Sequence, residues 1–466
     1  MSNAHKVIRV AAGAGSWGDD IGESKDLLQR AEVDYLVLDY LAEVTLSIMQ
    51  AQREKDPTKG YATDFLLVLR DIAPFLKPDG VRIVTNAGGL NPQECARQVV
   101  SLMAELGVPP EVSVAVVDGD DLMPHLQALT TKNAFTSLDD QNLFSTVAGS
   151  VLSANAYLGA GPIRQALDLG ARIVITGRCA DVSLTVGPLL HEFDWSDWDC
   201  IAGGVVAGHL LECGPQSTGG NSHMWREIPG REHAGYPIAE VSSDGTFTLT
   251  KGAGSGGLVN RGSVTEQLLH EIFDPSAVLT PDATADWTTI RLEDCGQDRV
   301  RVSGVKGRPP PPTLKVSMTY RDGYRVILMW PYAWPNAVAK AEAAFDRIHH
   351  TVQRLALDVT GSRCDIFGAG AIHGPRMRNA QSVDLKDPPE VIARYAARVA
   401  NAADARTLSA QQAPMLYGPQ GLAGHIGGGR GQVSRVYSHW ATTIDATHVS
   451  PRARLVPPGD VHDQAR

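Results

Sequence analysis

Cysteine is scarce in this chain, with six among 466 residues, at 95, 179, 200, 213, 295 and 364. No two have CxxC spacing, which argues against a disulfide scaffold and a cysteine-based zinc site, so no metal is expected. Basic charge is also short: 42 Lys and Arg stand against 52 Asp and Glu, a formal net charge of −10 with a pI near 5.8. Phosphate binding needs clustered cations, so no nucleic-acid partner is expected. No apolar run reaches the ~18 residues of a membrane span, and the opening residues lack the apolar core of a secretory signal. The expectation is a reduced, cytoplasmic protein with no membrane partner.

Glycine, by contrast, is abundant: 46 residues, about a tenth of the chain against a usual ~7%. The excess predicts tight turns and places where backbone approaches something closely. In the first half, strand-like runs at Val7–Ala12, Val33–Asp39, Val81–Thr85, Val112–Val117 and Ala171–Thr176 alternate with helix-like segments, among them Leu41–Arg53 and a helix from Asn91 to Leu106. Strand, polar loop, helix, repeated, predicts an α/β fold: a parallel sheet with helices on both faces, over about residues 1–200. Residues 201–262 are Gly-, Ser-, Thr- and His-rich with weak periodicity and read as loops over the active site. Strand-like runs Thr288–Leu292, Arg299–Ser303, Thr313–Tyr320 and Tyr324–Met329 and a helix over 336–357 predict a second, mixed α+β subdomain over 263–455, before a tail at 456–466.

Open parallel sheets bind ligands beyond the carboxyl ends of their strands. Those ends carry Gly13-Ala14-Gly15-Ser16-Trp17-Gly18, Asp39-Tyr40, Asn86-Ala87-Gly88-Gly89, Asp118-Gly119-Asp120-Asp121, and Gly177-Arg178 with Asp181 after it. The first string matches G-x-G-x-x-G, with Asp39 closing the next strand. Trp17 where a pyrophosphate would lie, and Asp19 and Asp20 at the incipient helix, count against a dinucleotide. An NAD(P)-dependent oxidoreductase using Gly13, Gly15, Gly18 and Asp39 remains an alternative.

Asp39 and Glu43 form a carboxylate pair suited to general acid–base work, or else Asp39 only caps a helix. Asp64 reads as a polar support or a cap. In the dense polar stretch from Gly208 to Asn221, His209 and Glu212 are spaced to share a helix face. Cys213 is either a nucleophile activated by a neighbouring base or a small buried hydrophobe. The glycine-rich runs at 252–257 and 427–431 are not Walker A loops, since no Gly-Lys-Ser/Thr follows.

Several strings together resemble one family, that of acyclic terpene utilisation protein A (AtuA). They are Val33-Asp34-Tyr35-Leu36 with Asp39-Tyr40-Leu41-Ala42-Glu43-Val44-Thr45, Gly60-Tyr61-Ala62-Thr63-Asp64-Phe65, Asn86-Ala87-Gly88-Gly89, Thr176-Gly177-Arg178 with Asp181, Ala207-Gly208-His209-Leu210-Leu211-Glu212-Cys213-Gly214, Thr218-Gly219-Gly220, Thr265-Glu266-Gln267-Leu268-Leu269 and Leu314-Lys315-Val316-Ser317. They keep their order over about residues 6–455. Pro375-Arg376-Met377 and Ala380-Gln381-Ser382 depart from the family's usual text. The resemblance implies a catabolic role on acids or acyl-CoA thioesters, with coenzyme A entering as part of the substrate. Longer members carry a further ferredoxin-like domain, so the resemblance also implies a separate small ferredoxin-like subunit.

The expected activity is hydratase, lyase or isomerase chemistry on a carboxylic acid or acyl-CoA. The candidate catalytic set is Asp39, Glu43, Asp181, His209, Glu212 and Cys213. Substrate binding is expected from Gly13, Gly15, Trp17, Tyr40, Asp64, Asn86, Gly88, Gly89, Arg178, Thr218, Gly219, Gly220 and Asn221, with Arg178 and an Asn as anion binders. A homo-oligomer is expected. A non-catalytic scaffold, the third reading, predicts that no polar groups converge at the strand ends.

Overall fold

A computed structural model describes residues 6–138, 144–374, 388–418, 422 and 424–457. The segments 375–377 and 380–382 and nearly all of the tail from 456 lie outside the described residues. Two compact units emerge, one of residues 1–319 with 439–466 and the other of 320–438.

The larger unit is built on a ten-stranded sheet. Its centre is parallel, in the order Val7–Ala14, Tyr35–Leu38, Arg82–Thr85, Ile173–Thr176, Val114–Asp118. All four residues of Tyr35–Leu38 and of Ile173–Thr176 are buried, as strands covered on both faces require. The helices Glu23–Arg30, Asp64–Ile72 and Pro92–Glu105 pack in one row, and Gly161–Asp168, Ser183–Phe193 and Trp198–Glu212 in another. The sheet is mixed rather than purely parallel. Pro237–Ser242, Phe247–Lys251, Arg299–Ser303 and Arg291–Gly296 extend it antiparallel beyond the first strand, and Arg452–Leu455 closes the other edge antiparallel to Val114–Asp118.

Residues 201–262 are therefore not simply loops. The segment opens inside the helix Trp198–Glu212, capped by the Asp197 carboxylate, which accepts from the Asp199 N–H at 2.7 Å. Every residue from Ile201 to Leu211 is buried, so the helix shows no polar stripe. Its glycines are packing contacts: a Cβ on Gly203 would lie 2.2 Å from the Gly245 carbonyl oxygen, and one on Gly208 2.8 Å from Val182 Cα. The hairpin Pro237–Ser242 and Phe247–Lys251 follows. The next helix starts at Arg261, with Asn260 accepting from the Ser263 N–H at 2.9 Å. The helix read from Leu41 begins at Glu43.

Thr313–Ala333, whose residues from 320 onward belong to the smaller unit, is one continuous strand where the sequence suggested two. Helix Ala337–Arg354, strands Val359–Phe367 and Glu390–Val399, helix Ala402–Ser409 and strand Gln432–Asp445 follow. The spatial order is Val359–Phe367, Glu390–Val399, Thr313–Ala333, Gln432–Asp445. A βαββαβ chain in the order 2-3-1-4 is the ferredoxin-like, split βαβ arrangement. Trp330, Tyr332, Tyr395, Phe345 and Leu408 share one core, so both helices cover the same face of this sheet.

Candidate active site

Parallel register brings the strand ends of the larger unit together. Leu38 pairs with Thr85, which sets Asp39 beside Asn86, and Val117 pairs with Thr176, which sets Asp120 near Arg178. Asn86 Nδ2 donates to Asp39 Oδ1 at 2.6 Å, and the Leu41 N–H donates to the same oxygen at 3.0 Å. Asn86 Oδ1 accepts the Tyr40 N–H at 2.7 Å, which fixes the amide's orientation. Asp39 Oδ2 makes no hydrogen bond among the described residues, so one carboxyl oxygen is anchored and the other is free. Burial pushes the Asp39 carboxyl up to about 6; Arg178, Asn86 and the Leu41 N–H oppose the rise, and the Glu212 charge adds to it.

Arg178 lies at the centre and is 1% exposed. Its backbone N–H donates to Asp120 Oδ2 at 2.9 Å, its Nη1 donates to the Leu41 carbonyl at 2.8 Å, and its Nη2 stands 2.9 Å from Asp181 Oδ1. The guanidinium carbon sits 4.0 Å from the Tyr157 ring centroid. Asp120 is clamped further by Asn155 Nδ2 at 2.8 Å, and burial pushes its carboxyl up to about 6. A Cβ on Gly177 would lie 2.4 Å from Asp120 Oδ1, so only glycine fits the turn that presents Arg178. The Asp181 carboxyl is raised well above the usual range by desolvation; Arg178 opposes this, and Asp39, Glu212 and Glu43 reinforce it.

Two further groups frame the centre. Glu43 Oε1 accepts from Lys315 Nζ and from the Tyr157 hydroxyl, each at 2.7 Å. Burial alone would raise its carboxyl, but these two bonds pull it down to about 2. At the end of the helix Trp198–Glu212, His209 Nδ1 lies 2.7 Å from Glu212 Oε1, and its Nε2 lies 2.7 Å from the Gln267 carbonyl. Gln267 Nε2 donates back to the His209 carbonyl at 2.9 Å. The Cys213 thiol is pushed up to about 12 by burial and by Glu212. This helix end abuts the first strand's turn: a Cβ on Gly15 would lie 2.5 Å from Gly214 N and 2.7 Å from the Cys213 carbonyl carbon.

Asp39, Asn86, Arg178, Asp181, Glu212, His209, Glu43, Cys213 and Gly15 are thus parts of one region. Gly88 supports it, since a Cβ there would lie 2.4 Å from the Thr176 carbonyl oxygen, and Gly89 packs on Met49. Gly13 packs on Leu36 and Ser24. Tyr40 is buried against Phe65, with Asp64 near its hydroxyl. Trp17 is half-buried with no polar contact to the centre. Thr218, Gly219 and Gly220 build a turn held by Thr218 Oγ1, which donates to the Pro215 and Gly235 carbonyls, and Asn221 is exposed beyond it. The Gly15 N–H, which a dinucleotide phosphate would need, donates to Asp19 Oδ2 at 2.8 Å. Asp120, Asn155, Tyr157, Lys315 and Gln267 belong to the region and were not among the expected site residues. Asp120 stood in a strand-end string, and Lys315 and Gln267 in family-like strings. Tyr157 and Asn155 gave no signal. Among the described residues no three His, Cys, Asp or Glu side chains are arranged to hold a metal ion, and no helix is long and apolar enough to cross a membrane.

The family model for the acyclic terpene utilisation family protein AtuA matches residues 8–455. The chain belongs to the AtuA family. Family membership carries a role in acyclic terpene utilisation and leaves the chemical step to be argued from the site. No curated protein and no solved structure matches the chain.

Proposed function

We propose that this AtuA-family chain is an enzyme of acyclic terpene breakdown that performs acid–base chemistry on a carboxylic acid or its coenzyme A thioester. Hydration, dehydration, isomerisation and carbon–carbon cleavage each need a positioned acid and base, and dehydration and isomerisation begin at a proton next to a carbonyl. The observation that carries the reading is the divided Asp39 carboxyl, with one oxygen fixed by two donors and the other free, poised near 6. At neutral pH Asp39 is mostly ionised and acts as the base, and Asp181, whose carboxyl is raised by desolvation, is assigned as the acid. In a dehydration, Asp39 Oδ2 takes the proton α to the carbonyl. Asp181 gives its proton to the departing β-hydroxyl, which leaves as water, and no electrons are gained or lost.

The other groups set this pair up. Arg178 is almost wholly buried, with Nη1 on the Leu41 carbonyl and Nη2 beside Asp181, so its role is to hold the Asp39 loop and Asp181. Glu43, ionised and bonded to Lys315 and Tyr157, anchors the rim. Convergence of these groups supports an enzyme over a scaffold, and the occupied Gly15 N–H weighs against a dinucleotide.

The test follows α-proton exchange in D2O by NMR with a panel of branched acyl-CoA thioesters. The wild-type chain is expected to exchange at least one of them, and Asp39→Asn to slow that exchange by about 10²–10⁴-fold. Undiminished exchange in both Asp39→Asn and Glu212→Gln would sink the assignment.

A further inference from the structure

The two units differ sharply in charge. Residues 320–438 hold fourteen Lys and Arg against nine Asp and Glu, a net charge of +5; the whole chain carries −10, which leaves −15 on the rest. Twelve of those fourteen cations are arginines. In the βαββαβ unit both helices cover one sheet face. The opposite face is set by the strand register: Arg325 pairs with Arg398, Ile327 with Ala396, which pairs in turn with Arg363, and Met329 with Arg394, which pairs in turn with Asp365.

This face combines half-buried apolar side chains, Ile327 and Met329, with guanidiniums that stay open to solvent. Arg363, Arg398 and Arg394 keep 69%, 49% and 32% of their side-chain surface. Asp365 neutralises Arg363 and Arg394 in part, and Asp322 pairs with Arg398. Arg325 is exposed and has neither ion pair nor hydrogen bond among the described residues. Apolar groups with Arg and without Lys are the composition found in protein–protein interface cores.

We propose that this arginine-bearing sheet face docks on a second copy of the chain, against the acidic unit of that copy. Charge complementarity selects the occupant. Two such faces meeting each other would set Arg325 and Arg398 against their own counterparts, which repel. A face of the +5 unit against the −15 unit has attraction instead, and a two-fold axis makes the same contact twice. The inference is independent of the reaction assigned to the strand-end site.

The test measures the self-association of the full chain by sedimentation equilibrium over a range of salt. A dimer is expected at low ionic strength, with its dissociation constant rising at least about tenfold between ~50 mM and ~500 mM salt as the charges are screened. Arg325→Glu is expected to weaken it a further tenfold or more, whereas Arg354→Glu, an equal charge change at the end of a helix on the covered side, shifts it by less than about threefold. Arg325→Gln, milder on the strand, should weaken it in the same direction. A chain that is monomeric at every salt tested, or a dimer indifferent to salt and to both Arg325 variants, overturns the proposal. Binding of a polyanion such as heparin by a persistently monomeric chain would overturn it in favour of a different partner.

Discussion

His209 holds Glu212 while facing a second acceptor: Nδ1 is 2.7 Å from the Glu212 carboxylate, and Nε2 is 2.7 Å from the Gln267 carbonyl. A ring with an acceptor at each nitrogen is drawn towards the doubly protonated form, which cannot serve as a base. Burial alone would lower its pKa, but Glu212 and the Gln267 carbonyl raise it above the usual 6.5. Its stabilising contribution is therefore complete below 6.5 and lost as the pH rises through the folded-state value. His209→Gln is expected to cost on the order of 1–3 kcal/mol at pH 6 and progressively less at higher pH. Urea melts of both proteins from pH 5.5 to 8.5 check this; a cost that does not shrink with pH would count against the imidazolium.

The Asp39 carboxyl, near 6, sets the acid side of the pH profile. Turnover or α-proton exchange is expected to fall as the pH drops below about 6. The Glu212 charge contributes to the raised value, so Glu212→Gln should move that limb to lower pH. The same shift should appear in the carboxyl ¹³C titration of Asp39, which needs no substrate. An unmoved titration in Glu212→Gln would break the electrostatic link between the two residues.

A raised carboxyl is also a stability cost. Asp39 keeps its proton in the folded chain up to about 6 but releases it near 3.8 when unfolded. The folded state is thus favoured below 3.8, and that advantage is lost as the pH climbs through 6. Asn at 39 can still accept from Asn86 and Leu41 through one oxygen while carrying no charge. Asp39→Asn is expected to stabilise the protein at pH 7.5 by on the order of 1–3 kcal/mol, with the gain fading towards pH 4, while activity is lost. Melting temperatures at the two pH values decide it.

Three of the residues that sequence reading placed in the site sit just past the end of a parallel strand. Asp39, Asn86 and Arg178 needed only the strand positions and the rule that ligands sit at carboxyl ends. Tyr157 and Lys315 reach the same place from distant chain, and their pairing through Glu43 has no local signature. The helix Trp198–Glu212 was hidden because a helix buried all round has no 3.6-residue polar stripe, and its packing glycines read as loop residues. Arg321-Asp322-Gly323, polar and turn-like, made one strand look like two. The antiparallel hairpin at 237–251 pairs with Val7–Ala14, over 200 residues earlier in sequence, and nothing short-range marks that pairing.

Cys213 lies next to Glu212 but is a poor nucleophile. With its thiol pushed up to about 12, almost none is thiolate at neutral pH. Cys295, by contrast, is exposed. Iodoacetamide at pH 7.5 is expected to label Cys295 well before Cys213, and Cys213→Ser should keep activity within about threefold. Peptide mass spectrometry after timed labelling reads the order; rapid modification of Cys213 with parallel loss of activity would restore it as a nucleophile.

The approach of the first strand's turn to the end of the helix Trp198–Glu212 is the contact that sets Glu212 relative to Asp39. A methyl group at Gly15 would fall 2.5 Å from Gly214 N and 2.7 Å from the Cys213 carbonyl carbon, both backbone atoms that no side-chain rotation can move. Gly15→Ala must therefore push the turn and the helix end apart. The expected cost is about 1–3 kcal/mol of stability. Because Glu212 moves away, the Asp39 titration should also fall, as it does in Glu212→Gln. Gly107→Ala, at a position with open space but a φ of +68°, separates backbone strain from collision: it should cost stability without moving the Asp39 titration. Equal titrations in both variants would show that the Gly15 contact does not position the site.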